Sequence, residues 1–443
     1  MIKIKFISLG CPKNEVDAEY MLGILLDNKG FQEINSIENA DVIIINTCGF
    51  IEDAKQESID HILQAARYKE IGNCKALIVT GCLIQRYKDE IIKKIPEIDA
   101  IIGTGKLDEL KKVINQTFKG KQIIQIGNPH FDYKPSHSRK IKTGHFSYLK
   151  IAEGCNNNCS YCSIPYIRGN LKSRPIKNIY KEATYLAENG VKELILVAQD
   201  TTRYGIDIYD KPMLTKLLKK LSTIKQIKWI RLLYCYPEHI HEDLIDYIKS
   251  ENKICNYLDL PIQHSENNIR KKMNREGTKS ELVNTIDMIL NKISEITLRT
   301  SIIVGFPGET NKDFNNLLSF VKNIEFDRLG AFRYSQEENT AAAKFNKQIQ
   351  KKIKNKRYNK LMELQKKISL KNNKKYVGKN VEVIIDECYN NYTVGRTKFD
   401  APEIDNQVYI NNCNELNPGN IVKCKITGAY EYDLIGEKNN EKK

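Results

Sequence analysis

Three cysteines in Cys155-Asn-Asn-Asn-Cys159-Ser-Tyr-Cys162 fall within eight residues, in the spacing CxxxCxxC. Thiolates so spaced can each bind one iron of a cubane cluster, which ordinarily takes four cysteines. No fourth cysteine lies nearby, so one iron would keep the open coordination position that a catalytic metal needs. Zinc is the competing occupant. It would want a fourth Cys or His, and His145, across an expected strand, is the only nearby candidate. A second, dispersed set is Cys11, Cys48 and Cys82, within Gly10-Cys11-Pro12-Lys13-Asn14, Asn46-Thr47-Cys48-Gly49-Phe50 and Thr80-Gly81-Cys82. The other six of the twelve cysteines, Cys74, Cys235, Cys255, Cys388, Cys413 and Cys424, fit no pattern and read as small buried hydrophobes.

The elements that must position these thiols are legible in the apolar pattern. Strand-like runs at Ile2 to Leu9, Val42 to Asn46, Ala76 to Thr80 and Ala100 to Gly103 alternate with helical periodicity at Glu15 to Lys29, Ala54 to Tyr68 and Tyr87 to Ile95. Short apolar strands separated by amphipathic helices indicate a parallel sheet covered on both faces. Cys11, Cys48 and Cys82 each follow a strand, and loops at the carboxyl ends of such strands converge on one edge. The polar, Pro/Gly-containing stretch 126–142 reads as a linker. Six further strand candidates follow: Ser147 to Ala152, Glu193 to Ala198, Trp229 to Tyr234, Asn256 to Pro261, Thr297 to Val304 and Arg328 to Tyr334. They suggest a (β/α) barrel or most of one, with the CxxxCxxC segment directly after its first strand. From about Tyr376 the composition turns to short strands and Asn/Pro/Gly turns, as in a small β-barrel. The fold expected is therefore α/β at 1–125 and 143–372, followed by a β-barrel at 373–443.

CxxxCxxC after a first barrel strand, with Tyr161 before the third cysteine, resembles the radical S-adenosylmethionine (SAM) superfamily. The resemblance implies that Cys155, Cys159 and Cys162 hold a 4Fe–4S cluster whose open iron is chelated by SAM. An electron then splits SAM into methionine and a 5′-deoxyadenosyl radical, which abstracts hydrogen from an unactivated carbon. Val197-Ala198-Gln199-Asp200 and Ile303-Val304-Gly305-Phe306-Pro307-Gly308-Glu309 resemble the SAM-contacting strand ends of that family. Together with the N-terminal cysteines and the C-terminal barrel, the chain resembles the methylthiotransferases over nearly its whole length. That implies a flavodoxin-like N-terminal domain carrying a second 4Fe–4S cluster on Cys11, Cys48 and Cys82, a TRAM-like C-terminal barrel, and no catalytic residue assigned beyond the cluster ligands. Within the family, Gly10-Cys11-Pro12-Lys13-Asn14, Asn46 to Ile51, Gln199 to Gly205 and Asp400 to Asp405 are similar to the RimO group. That group modifies an aspartate of the twelfth small-subunit ribosomal protein. The MiaB-type tRNA adenosine enzyme is the alternative, and a non-enzymatic RNA-binding iron–sulfur protein a distant one.

Charge bears on the partner. The chain carries a formal +15, and Lys344 to Lys375 holds thirteen Lys/Arg against the single Glu363. From Tyr376 onward there are eight Lys/Arg against eleven Asp/Glu. A mildly acidic C-terminal segment suits a basic ribosomal protein better than RNA, and Asp400, Glu403 and Asp405 are its candidate steering charges. The basic segment could lie near ribosomal RNA. No apolar run suits a transmembrane helix or a signal-peptide core, so a cytoplasmic monomer is expected, served by an electron donor such as flavodoxin or ferredoxin.

Overall fold

The computed structural model describes residues 1–27, 30–129, 139–142, 144–411 and 415–439; Lys29, Cys413 and much of the expected linker lie outside them. Six parallel strands form the first sheet: β1 (Ile2–Ser8), β2 (Phe31–Glu33), β3 (Val42–Thr47), β4 (Ala76–Gly81), β5 (Ala100–Ile102) and β6 (Ile123–Gln125), in the order β2-β1-β3-β4-β5-β6. This is the flavodoxin-like order, whose ligand crevice opens between β1 and β3 at their carboxyl ends. Strands β3 and β4 are buried along their whole length, as helices on both faces require. The edge strands β2 and β6 escape the sequence pattern because, unlike the equally short but wholly buried β5, they are part exposed and lack a continuous apolar run set off by turns.

Helix α1 (Pro12–Leu26) starts three residues earlier than its periodicity suggests, with Pro12 in the first turn, where the missing N–H costs nothing. Its pattern is blurred for a tertiary reason. Lys13, Asn14, Asp17 and Glu19 are buried alongside Val16, Tyr20 and Met21, because a second domain covers the face that water would otherwise meet.

That domain begins with β7 (Phe146–Lys150). It continues through Glu193–Val197, Trp229–Leu232, Ile254–Gln263, Thr297–Val304 and Arg328–Arg333, each strand parallel to and hydrogen-bonded with the next. Six strands without closure make a partial barrel. One apolar cluster joins Val16 and Tyr20 of α1 to Tyr148, Trp229 and Tyr257 of the barrel strands and to Ile384 and Ala401 beyond them. The C-terminal strands Asn380–Cys388, Tyr392–Thr397, Val408–Asn411, Ile421–Ala429 and Leu434–Lys438 close into a five-stranded barrel. The last of these had no counterpart in the sequence pattern. The basic segment forms the helix Lys351–Lys374, which buries Leu361, Gln365 and Ile368 and leaves most of its lysines exposed.

The C-terminal carboxylates correct an expectation. Asp400 and Asp405 are buried and do not steer a partner. Asp400 accepts from Arg328 Nε and Nη2 at 3.0 and 2.7 Å and from Thr397 Oγ1 at 2.6 Å. Asp405 accepts from Tyr257 Oη at 2.6 Å and Arg299 Nε at 3.3 Å. Glu403, though exposed, accepts from Tyr148 Oη at 3.0 Å. These acids fasten one domain to the other. Reversing a buried paired charge costs about 3–5 kcal/mol. Asp400→Lys should therefore lower the melting temperature by on the order of 10 °C. Circular-dichroism melting measures this, and a shift smaller than about 2 °C would mean that the pair carries no structural weight.

Candidate active site

The N-terminal trio is assembled by strand ends. Cys11 follows β1, Cys48 follows β3 directly, and Cys82 opens the helix after β4, so the three flank the crevice between β1 and β3 and its neighbour. Two glycines allow the approach. A Cβ on Gly10, at φ +93°, would lie 2.7 Å from Cys48 Cβ, and one on Gly81, at φ +99°, would lie 2.4 Å from the Thr47 carbonyl. Asn14 Nδ2 donates to the carbonyls of Leu9 and Thr47 at 2.9 and 3.0 Å, tying the loop after β1 to the end of β3. Thr47 Oγ1 donates to the Thr80 carbonyl at 2.6 Å and ties β3 to β4. Ser58 Oγ accepts from the Cys48 N–H at 3.0 Å and donates back to its carbonyl at 2.9 Å.

The barrel trio follows β7 in a loop held from several sides. The Cys155 N–H donates to the Gly169 carbonyl at 3.1 Å, and that of Ser160 to Met273 at 2.9 Å. Backbone N–H groups of Asn157 and Ile164 point at the sulfurs of Cys155 and Cys162, at 3.4 and 3.5 Å. Such bonds stabilise thiolates that carry a cluster. Tyr236 Oη lies 3.7 Å from Cys159 Sγ. Asn157 is itself clamped, donating to Asp200 Oδ2 at 2.8 Å and accepting from Arg203 at 2.7 Å. Asp200 also receives His239 Nδ1 at 2.8 Å and the Thr202 hydroxyl. Burial alone would raise its carboxyl, but the bonds from His239, Thr202 and Asn157 outweigh that and hold it below the usual carboxylate range.

Burial and one another's company govern the electrostatics of the thiols. Burial, together with Cys82 and Cys11, pushes the Cys48 thiol up to about 12, and burial pushes Cys155 up to about 11. Burial and the neighbouring Cys159 also raise Cys162. Burial works against ionising Cys11 too, yet Lys13 and Arg168 outweigh it and draw that thiol below its ordinary value. Buried thiols that resist ionising in one another's company need positive charge to become ligands, and a coordinated metal supplies it. Among the described residues no three His, Cys, Asp or Glu side chains converge closely enough to share one ion, as a zinc site requires. His145 is no fourth ligand. It precedes β7, while the cysteines follow it, and its Nε2 pairs with Asp386 Oδ1 at 2.7 Å.

Between the trios lies a buried ionic cluster that no motif announced. Lys150 Nζ meets Asp17 and Glu153 at 2.5 and 2.7 Å, and Arg168 Nη1 meets the same two carboxylates at 2.8 and 2.9 Å. Arg168 Nη2 reaches Asn14 Oδ1 and lies 3.5 Å from Cys82 Sγ. Lys13 Nζ sits 3.4 Å from the Ala198 carbonyl and 3.8 Å above the centre of the Tyr234 ring. Lys13 and Asn14 stood inside a recognised motif; nothing local marked Arg168, Asp17 or Lys150. Of the segments expected at SAM, Asp200 orders the cysteine loop. In Gly305 to Glu309, Phe306 packs against Tyr334 at 5.3 Å, and Glu309 accepts from the Gly305 N–H and pairs with Arg357. Of the remaining cysteines, Cys74, Cys235, Cys255 and Cys424 are buried as expected; Cys388 is exposed instead, its thiol donating to the Leu416 carbonyl at 3.1 Å.

Comparison with known proteins places this arrangement. Family models match residues 3–103 (uncharacterized protein family UPF0004), 149–321 (radical SAM superfamily) and 377–438 (TRAM domain). The chain is 51% identical over 439 residues to the ribosomal protein uS12 methylthiotransferase RimO of Clostridioides difficile, covering 99% of both chains. It is 51% identical over 441 residues to the like-named protein of Caldicellulosiruptor saccharolyticus, covering 99% of this chain and 100% of that one. The chain belongs to the RimO family of radical SAM methylthiotransferases. RimO-family membership brings SAM and a 4Fe–4S cluster with it, and the tRNA-modifying alternative is not favoured. Among solved structures, the radical S-adenosylmethionine methyltransferase TsrM of Kitasatospora setae shares the fold, with a TM-score of 0.56 at 10% identity over 75% of each chain. Among the described residues no helix is long and apolar enough to cross a membrane.

Asp200→Ala should release Asn157 and His239 and loosen the CxxxCxxC loop. Iron per chain after anaerobic reconstitution is then expected to fall toward half, with an unchanged far-ultraviolet circular-dichroism spectrum. Iron content equal to that of the wild type would show that the loop holds its shape unaided.

Proposed function

We propose that this chain attaches a methylthio group to the β-carbon of an aspartate of ribosomal protein uS12. In this reading Cys155, Cys159 and Cys162 hold the SAM-binding 4Fe–4S cluster, and Cys11, Cys48 and Cys82 hold a second. One observation carries the proposal: both trios stand at strand carboxyl ends and face a shared boundary, where Arg168 touches Cys82 and Lys13 lies within electrostatic reach of Cys11 and Cys162. When bound, the groups supply a carbon-centred radical on the barrel side and transferable sulfur on the N-terminal side. The aspartate β-carbon has no leaving group and a non-acidic C–H bond, so side-chain acid–base chemistry cannot functionalise it. What the chain's own residues contribute is placement. Asp200 and Asn157 fix one cysteine loop, Asn14 and Thr47 fix the other, and Arg168 fastens the two domains at short range.

The functional parts are taken as 1–125, 126–142, 143–372 and 373–443, with the last boundary near the end of helix Lys351–Lys374. The exposed lysines of that helix support an approach to the protein substrate in the company of ribosomal RNA. An electron donor of the flavodoxin or ferredoxin class completes the reaction.

Reconstituted enzyme, incubated with SAM and either uS12 or tRNA, should add the methylthio mass to uS12 alone. Cys155→Ala should abolish 5′-deoxyadenosine formation and keep the N-terminal iron. Cys48→Ala should keep SAM cleavage and lose the methylthio product. Mass spectrometry and nucleoside analysis read all three, and an unchanged product yield from Cys48→Ala would refute the division of labour.

A further inference from the structure

Eleven lysine and arginine residues are buried among the described residues: Lys13, Arg139, Lys150, Arg168, Arg174, Arg231, Arg270, Arg275, Arg328, Arg357 and Arg396. Ten of them pair with a carboxylate within 4.0 Å. Lys13 is the exception. The residue is only 7% exposed, and its ammonium meets the Ala198 carbonyl at 3.4 Å and the face of Tyr234, with Cys11 and Glu153 in electrostatic reach and no carboxylate within 4.0 Å. A buried cation with no carboxylate to pair with is costly, and the other ten buried cations among the described residues avoid that cost.

Position makes the exception informative. Ala198 follows the barrel strand Glu193–Val197, and Tyr234 follows the strand Trp229–Leu232, so Lys13 reaches from the N-terminal domain over the carboxyl ends of the barrel strands. Tyr234 is held at φ +59°, a left-handed conformation that costs an ordinary residue about 1–2 kcal/mol. Its N–H donates to Asp259 Oδ2 at 2.9 Å, which fixes the ring beneath the ammonium. Pro12 fixes the backbone on the other side. The ammonium is thus aimed, and its free donors lie between the two cysteine trios.

We propose that Lys13 binds the side-chain carboxylate of the residue being modified, and is the element by which this enzyme selects an aspartate. The inference rests on the function proposed above. A carboxylate held there places the adjacent β-carbon one bond from the anchor, between the trio that serves SAM and the trio that serves sulfur. A lysine suits the task, since a compact point charge can hold one carboxylate oxygen without the two-pronged geometry that an arginine imposes. The substrate then supplies the close carboxylate that each of the other ten buried cations finds within the chain.

The test uses the reconstituted full chain. Lys13→Met should keep the wild-type iron content and a melting temperature within a few degrees of the wild type's, because no carboxylate of the chain pairs with Lys13 within 4.0 Å. A clear fall would make Lys13 a structural residue and overturn the proposal. Binding is then measured by fluorescence anisotropy with uS12 and with uS12 carrying Asp→Asn at the target. The wild type should prefer the aspartate form by about ten-fold or more, as a charge-assisted hydrogen bond provides. Lys13→Met should bind both forms alike, and Lys13→Arg should recover part of the preference. A preference that survives in Lys13→Met overturns the assignment, as does a loss of SAM affinity with the preference intact, which would give the ammonium to SAM. A wild type that modifies uS12 yet does not distinguish the two forms overturns the Lys13 assignment alone. A wild type that neither binds nor modifies uS12 overturns both readings.

Discussion

The buried contact of Lys150 and Arg168 with Asp17 and Glu153 is the constraint on which the rest of the molecule depends. Two cations and two anions balance, so the cluster is neutral as a unit. Desolvating four charged groups is repaid only when every partner is present and well placed. Asp17 comes from α1, and the other three come from the barrel and the loop after it, so the cluster forms only when the two domains dock in one orientation. Gln199 adds a hydrogen bond to Glu153 and extends the restraint to the next barrel strand. The same Arg168 reaches Asn14 and Cys82, so the orientation of the domains and the placement of the N-terminal thiols are set by one side chain.

A second network repeats the arrangement along α1. Arg139 pairs with Glu19 and with Glu182, and Tyr20 donates to Glu182, which also receives Arg174. Together the two networks explain why α1 carries so many polar side chains and yet is almost wholly buried. The helix is the pin between a sheet domain and a barrel, and its acids Asp17 and Glu19 are met by Lys150, Arg168 and Arg139. Apolar packing alone could slide; charge pairs with fixed hydrogen-bond geometry resist it. That resistance fixes the two cysteine trios relative to one another.

At the other end of the barrel, acids that look like a surface feature are structural. Glu193 meets both Arg231 and Arg396, Asp386 meets Arg396 and His145, and Asp400 meets Arg328. The C-terminal barrel is bound to the radical SAM domain through these pairs, so its formal charge says little about the surface it presents. Lysines on Lys351–Lys374 that are not packed remain in water, where a polyanion could reach them.

The sequence by itself determined most of the strands, their helical separators, the partial barrel and the placement of the six patterned cysteines at strand ends. These are local properties: apolar period, strand length, and the chain position of a thiol relative to a strand. The order of the strands in the first sheet came from the structure. What only the tertiary structure decided concerns partners far apart in the chain. Asp17 and Arg168 are 151 residues apart, and Asp400 and Arg328 are 72 apart. Neither residue of such a pair changes the local pattern, and whether a charge ends in water or in a domain boundary depends on which faces dock. For that reason Asp400 and Asp405 read as surface acids, Cys388 read as buried, and α1 read as an ordinary amphipathic helix. Lys13 was visible as a letter in a motif. That its ammonium is buried without a carboxylate became visible only when the barrel closed over it.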